Sequence, residues 1–245
     1  MFENNRQQQY TNAVTFSTLF DLMSAVVIGS RNSVHDAFQA SEEKVGVSAA
    51  ALYEKLKNIE TCTSQALVRE TAAEMASLID QMDGTLPPLA PGYSIRILDG
   101  NCIAAAHHRI KELRHTAAGA LPGKSLVVLD PQHRLMMDVF PCQDGHAQER
   151  AILDQVVPTI AKSQLWIEDR NFCTFGFLWA IHDRDAFFIT RQHGNMNFQP
   201  LSERQKVGKI DSGTVYEQSV LVRGEGNPKG TVTNPLASAE SDAMN

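Results

Sequence analysis

Two aspartates in this 245-residue chain each close a short apolar run. Asp99 follows Ser94-Ile-Arg-Ile-Leu98, and Asp169 follows Gln164-Leu-Trp-Ile-Glu168. A strand delivers its last residue to the margin of a sheet on a rigid backbone, as a metal-holding carboxylate requires. Carboxylates so placed suit a hard divalent cation such as magnesium, which takes oxygen ligands and keeps several waters. The chemistry would be phosphodiester hydrolysis or strand transfer, commonly run by two divalent ions about 3.5–4 Å apart. Aspartates also end strands because they suit turns, so the pair alone leaves both readings open.

The elements that must carry these residues follow a linker, Gly84-Thr-Leu-Pro-Pro-Leu-Ala-Pro-Gly92, whose three prolines cannot continue a helix. Beyond it the pattern alternates between strands and helices. Ser94–Leu98 reads as a strand ending at Asp99-Gly100, and Ala104 to Arg114 as a basic helix. Ser125–Leu129 is almost wholly apolar, as a central strand would be. A turn at Asp130-Pro-Gln-His133 and a return strand, Leu135–Phe140, complete a hairpin. A helix from about Ala147, a strand Gln164–Glu168, a helix Phe175–His182 and a strand Ala186–Thr190 follow. Three strands, a helix, a strand, a helix and a strand make the order of a ribonuclease H-like sheet. In that plan the first and fourth strands are neighbours, so the ends bearing Asp99 and Asp169 should face each other.

Everything before the linker reads as helical. Val14, Phe16, Leu19, Phe20, Met23, Val26 and Val27 recur at helical spacing, as do Leu67, Met75, Leu78, Ile79 and Met82. Between them Ser33–Lys44 and Ser48–Ile59 each begin at a serine able to cap a first turn. Joined through Val45-Gly46-Val47, they resemble a helix-turn-helix over residues 33–59, or an ordinary helical hairpin. The second helix offers only Lys55 and Lys57 as basic groups, beside Glu54 and Glu60.

Composition bounds the rest. Hydrophobic residues at 43% are enough for a core, and the longest apolar run, 13–29, is broken by Asp21, so no membrane span is expected. The polar start lacks a secretory signal's pattern. Four cysteines stand far apart without a C-x-x-C pair, reading as reduced thiols of a cytosolic protein rather than a zinc site or disulfide framework. The net charge of −6 argues mildly against nucleic-acid binding. The acidity sits mainly before the linker: residues 1–90 carry 6 basic and 11 acidic side chains, whereas 93–193 carry 11 of each.

Several separated motifs then resemble one family. Ile97-Leu-Asp-Gly-Asn101 and Trp166-Ile-Glu-Asp-Arg-Asn-Phe-Cys173 are similar to the first- and second-aspartate motifs of bacterial insertion-sequence transposases of the Asp-Asp-Glu type. Leu121-Pro-Gly-Lys124, Asp144-Gly-His-Ala-Gln-Glu-Arg150 and Ile189-Thr-Arg-Gln-His-Gly194 stand between and after them in the family's order. The resemblance covers roughly residues 10–223, more loosely in the helical part. It implies that Asp99 and Asp169 are the first two ligands of Mg²⁺ or Mn²⁺, and that the substrate is DNA: the ends of a mobile element and its target. It places Arg170 and Asn171 on the DNA strand, although a surface ion pair also suits Arg170. His107, His108, Arg109, Lys111 and Arg114, opposed only by Glu112, follow the first aspartate; Arg109, Lys111 and Arg114 either touch phosphates or form a solvated face. Adjacent His107 and His108 point different ways on a helix and are not read as a metal site.

The resemblance implies a third ligand, a glutamate on a helix beyond the strand at 186–190 and beyond a β-rich insert. The insert begins with Gly213 to Arg223, which alternates like a strand, and there the likeness stops. Residues 224–245 are rich in Gly, Pro, Ser, Thr and Asn and read as a disordered tail. Glu203, Glu217 and Glu225 lie in loop or strand patterns and are poor substitutes. The expectation is a chain cut short and catalytically impaired, with two rivals: a non-catalytic DNA-binding or inhibitory remnant, and a metal-dependent nuclease unrelated to transposition. The expected fold class is α/β, an incomplete ribonuclease H-like mixed sheet with helices (93–193) preceded by an all-helical N-terminal domain (1–83), with 84–92 as linker and 194–223 as the start of the insert. The expected setting is the bacterial cytoplasm at the nucleoid, as a homodimer or with full-length transposase, and away from membranes.

Overall fold

The computed structural model describes residues 2–5, 14–102, 124–142, 148–222 and 232–241. The basic run of Arg109, Lys111 and Arg114 lies outside them. Helices come first: α1 (Phe2–Asn5), α2 (Phe16–Val27), α3 (Val34–Gln39), α4 (Glu42–Val45), α5 (Ala49–Lys57) and α6 (Thr61–Gln81). Ser33 and Ser48 cap α3 and α5, accepting from the Asp36 and Ala51 N–H groups. The helix expected over Ser33–Lys44 is two helices, because α3 ends at Ala40 and α4 restarts after Ser41. α4 stops at Gly46, whose φ of +64° is a left-handed conformation that glycine adopts without strain. Val14, Leu19, Leu22, Ala37, Phe38, Val45 and Leu52 form a core shared by α2 to α5.

Five strands follow in one mixed sheet: β1 (Ser94–Cys102), β2 (Lys124–Asp130), β3 (Leu135–Cys142), β4 (Gln164–Glu168) and β5 (Phe187–Thr190). Their order is β3-β2-β1-β4-β5. β1, β2 and β3 run antiparallel to their neighbours, whereas β1, β4 and β5 are parallel. The fold is therefore mixed α/β.

The described part of the crossover from β3 to β4 holds a 3-10 turn (Glu149–Ile152), one turn of helix α7 (Leu153–Val156) and a second 3-10 turn (Val157–Thr159). It replaces the single helix expected from Ala147, and Pro158, which has no N–H to donate, sits where that helix would continue. α8 (Phe175–His182) links β4 to β5 and starts at Thr174, whose hydroxyl accepts from the Phe177 N–H. Leu98, Leu126, Val128, Phe140 and Trp166 turn one face of the sheet toward Ile152, Leu153, Val156, Phe172, Phe177 and Ile181, and this is the main core. On the other face Met136, Leu129, Ile97, Ile167 and Ile189 are register partners in turn across all five strands. At its outer end Ile189 is 55% exposed.

β1 runs longer than its sequence implied. It does not end at Asp99-Gly100: Asp99 pairs with Val127 and Gly100 with Leu126, and β2 supplies ladder partners as far as Cys102. β4 stops earlier, so its last pair with β1 is Leu98 and Glu168.

A second sheet holds β6 (Phe198–Pro200), β7 (Gln205–Ile210), β8 (Gly213–Val222) and β9 (Val232–Ser241), with β6 and β7 in line along one side of β8 and β9 along the other. The expected disordered tail thus departs from the structure over 232–241, where the open side of β8 offers a ten-residue row of backbone partners. Pro235 is compatible with that place because β9 has no further neighbour among the described residues. None of the described helices is long and apolar enough to cross a membrane.

α6 packs along β3. Arg69 reaches the buried Asp138 carboxylate, with its Nε and Nη2 each 2.7 Å from Oδ2, and Gln65 donates to Oδ1 at 3.3 Å. Residues 84–92, expected as a linker, carry no helix or strand and are largely exposed.

Candidate functional site

The two aspartates stand just past the end of the β1/β4 ladder. Leu98 and Glu168 are the last register partners of these parallel strands, and Asp99 and Asp169 are the next residue of each. Side chains alternate along extended backbone, and Asp169 is extended at φ −76° and ψ 161°. Both aspartates therefore leave the sheet on the side opposite the buried Leu98 and Glu168, and both are exposed. The position lies just past the end of the ladder between the parallel strands β1 and β4.

Asp99 Oδ1 accepts a 2.8 Å hydrogen bond from the Gly100 N–H. Asp169 opens a 3-10 turn, Arg170–Phe172, and its carbonyl accepts from the Phe172 N–H at 2.9 Å and the Thr190 hydroxyl at 3.5 Å. The carbonyl is thereby held to β5 while the carboxylate stays at the surface. Both are exposed carboxylates, oxygen donors of the kind a hard divalent ion takes. Among the described residues, no three His, Cys, Asp or Glu side chains form a metal-holding group.

Arg170 is exposed in the turn directly after Asp169. Asn171 is half-buried and turned inward. Its Nδ2 donates to Glu149 Oε2 at 2.8 Å, while Arg150 Nε donates to its backbone carbonyl at 2.6 Å and its Oδ1 at 3.2 Å. Lys57 is exposed on α5. A polar cleft of about 430 Å³ between α1 and α6, lined by Asn4, Asn5, Gln65, Arg69 and Glu70, contains neither aspartate.

Two features near the pair were not singled out from sequence. Glu168, between the Ile167 and Asp169 positions, is buried with neither carboxyl oxygen hydrogen-bonded. Burial pushes its pKa up to about 9. Burial also pushes up the nearby Cys173 thiol. The second is the Glu149–Asn171–Arg150 cluster, which joins residues more than 20 positions apart and so has no local signature. A hint of Glu168 was present in sequence: strand alternation places it on the face of Trp166, where no carboxylate belongs without a partner.

No protein-family model matches the chain, and no curated protein matches it.

Proposed function

We propose that this chain is a DNA phosphoryl-transfer protein of the Asp-Asp-Glu transposase type, built on a ribonuclease H-like sheet, with Asp99 and Asp169 as its metal-binding pair. The observation that supports this best is the placement of Asp99 and Asp169 one residue beyond the last β1/β4 register pair, exposed on the same side of the sheet. The strand order β3-β2-β1-β4-β5, antiparallel on one side of β1 and parallel on the other, is the order expected of such a sheet. The helical segments before it are an N-terminal DNA-binding part in this reading.

Asp99 and Asp169 would hold Mg²⁺ or Mn²⁺ through one or both carboxylate oxygens, supported by β1 and by the turn fixed through the Asp169 carbonyl. The chemistry supplied by bound divalent ions is charge compensation at the phosphate and activation of the attacking oxygen. Arg170, exposed beside the pair, contacts the DNA backbone and steers it toward the carboxylates. Asn171 supports the site from within rather than touching DNA, because its amide is engaged with Glu149 and Arg150.

The test uses purified chain with end-labelled element-end DNA. Mobility shift reads binding, and strand cleavage with Mg²⁺ and Mn²⁺ reads chemistry. The unsubstituted protein, Asp99→Ala and Asp169→Ala should all retain DNA. Metal-dependent cleavage should be confined to the unsubstituted protein and fall by at least about 10²-fold in either variant. Cleavage that survives either substitution overturns the assignment. Retention of DNA without cleavage by any of the three assigns a non-catalytic or inhibitory role instead.

A further inference from the structure

Gly100 stands one residue past Asp99, on the other side of β1. A Cβ at this position would lie 2.5 Å from Glu149 Oε1, 2.6 Å from Cδ and 2.8 Å from Oε2. The Glu149 carboxylate therefore rests on a bare Cα, closer than any side chain there would allow. It is held in that place, since Asn171 Nδ2 donates to its Oε2 at 2.8 Å. Asn171 is fixed in turn by Arg150, whose Nε donates to both of its oxygens. Glu149 and Arg150 belong to the 3-10 turn whose Ile152 is part of the main core. The cluster thus joins the residue after Asp99 to the residue two beyond Asp169.

We propose that Glu149, Asn171 and Arg150 are positioning residues that fasten the end of β1 to the turn after β4 and thereby set the separation of Asp99 and Asp169. This rests on the reading of those two aspartates as a metal-binding pair. The last ladder pair between the strands is Leu98 and Glu168, so both aspartates lie where the β1/β4 ladder no longer ties the two chains together. Two carboxylates can share one ion only if their spacing suits metal–oxygen bonds of about 2.1 Å. The Glu149–Asn171 bridge spans the gap on the opposite side and leaves the aspartate side open. Gly100 is the seat of the bridge: a methyl group there must displace a carboxylate that Asn171 holds.

The test is Mn²⁺ affinity of the full chain, read from the free-ion electron paramagnetic resonance signal, with thermal melts to confirm folding. Asp99→Ala, the reference, should abolish tight binding. Glu149→Ala and Asn171→Ala should weaken binding about 10-fold, the usual cost of losing a group that orients a metal ligand. Glu149→Gln keeps the shape and still accepts the Asn171 amide, so it should bind within about twofold of the unsubstituted chain. Gly100→Ala should match Glu149→Ala. Added to Glu149→Ala, it should cost less than about twofold more, because the colliding carboxylate is gone and the two changes act on one contact.

If Glu149→Gln proves as damaging as Glu149→Ala, the glutamate ligates the ion and the positioning role is overturned. If Asp99→Ala abolishes binding while Glu149→Ala and Asn171→Ala leave it within about twofold, the bridge sets nothing and the proposal fails by itself. If Asp99→Ala leaves binding unchanged, the metal reading falls and takes the proposal with it.

Discussion

Glu168 is the residue most at odds with its surroundings. A carboxyl group taken out of water without a hydrogen bond costs free energy that an apolar side chain of similar size would not. Its neighbour in kind, Asp138, is equally buried but paired with Arg69, so the two should answer oppositely to removal of the carboxyl. Glu168→Leu is expected to stabilise the protein by about 1–3 kcal/mol at neutral pH, measured by urea denaturation. A loss of stability would show that the carboxyl has a partner worth more than its burial costs. At this scale the sequence was informative about Asp99 and Asp169, because each follows an apolar run that had to be a strand. It named Asn171 only as a DNA contact and gave no sign that it meets Glu149, since that meeting depends on where the crossover between β3 and β4 lies.

Between elements, one histidine joins α6 to the sheet. His133, in the β2–β3 turn, places Nδ1 3.0 Å from Asp130 Oδ2 and Nε2 3.1 Å from Asp80 Oδ1. Neutral imidazole carries one N–H, so only the protonated ring satisfies both carboxylates. Asp130 is the first cause of the raised His133 pKa, with Asp80 adding to it against partial desolvation. Desolvation, the largest influence on Asp130, raises its pKa. His133, Arg96 and two backbone N–H groups together outweigh it and hold Asp130 below the usual carboxylate range. Thr85 and His133 lower Asp80 in the same way.

The signs fix the pH window. The His133 contribution is complete below its unfolded value of 6.5 and disappears as pH rises through the higher folded value. The Asp130 contribution is present above 3.8 and disappears on acidification through the lower folded value. His133→Gln should therefore cost about 1 kcal/mol near pH 6 and progressively less toward pH 9, read as the difference between two urea-denaturation series. A difference that stays flat over that range would remove the charge from the explanation. The sequence presented Asp130-Pro-Gln-His133 only as a turn, because the partner Asp80 is some fifty residues earlier. Periodicity located β4 and α8 well, since each is a short apolar run with a clear stop or a threonine cap. It misplaced the end of β1, where the local habit of Asp-Gly to form turns lost to a full row of β2 partners.

At the scale of the molecule, α6 reaches from the first helices to the sheet. Its 21 residues span about 30 Å, and Arg69 and Asp80 anchor it at two levels on the β2–β3 hairpin. The order of the five strands in the larger sheet was legible because hydrophobic period changes from helical to alternating at the proline-rich stretch. The pairing of β9 with β8 was not, since Gly, Ser and Asn over 224–245 say nothing about a remote open side. The opposite margin of the larger sheet has a consequence for the protein in solution. β5 is the last strand of the β3-β2-β1-β4-β5 order, and Phe187 and Ile189 on it are 46% and 55% exposed. With no further strand beside it among the described residues, its backbone and apolar side chains make a template on which another chain can add a strand. Self-association through this margin should grow with concentration, and Ile189→Lys should suppress it, as light scattering during concentration of the two proteins would reveal. Equal scattering from both would place the sticky surface elsewhere. Natural strands at such margins are commonly guarded by a lysine or a proline; the Phe-Phe-Ile-Thr of β5 contains neither, which leaves crowding itself as a route by which copies of this chain find one another.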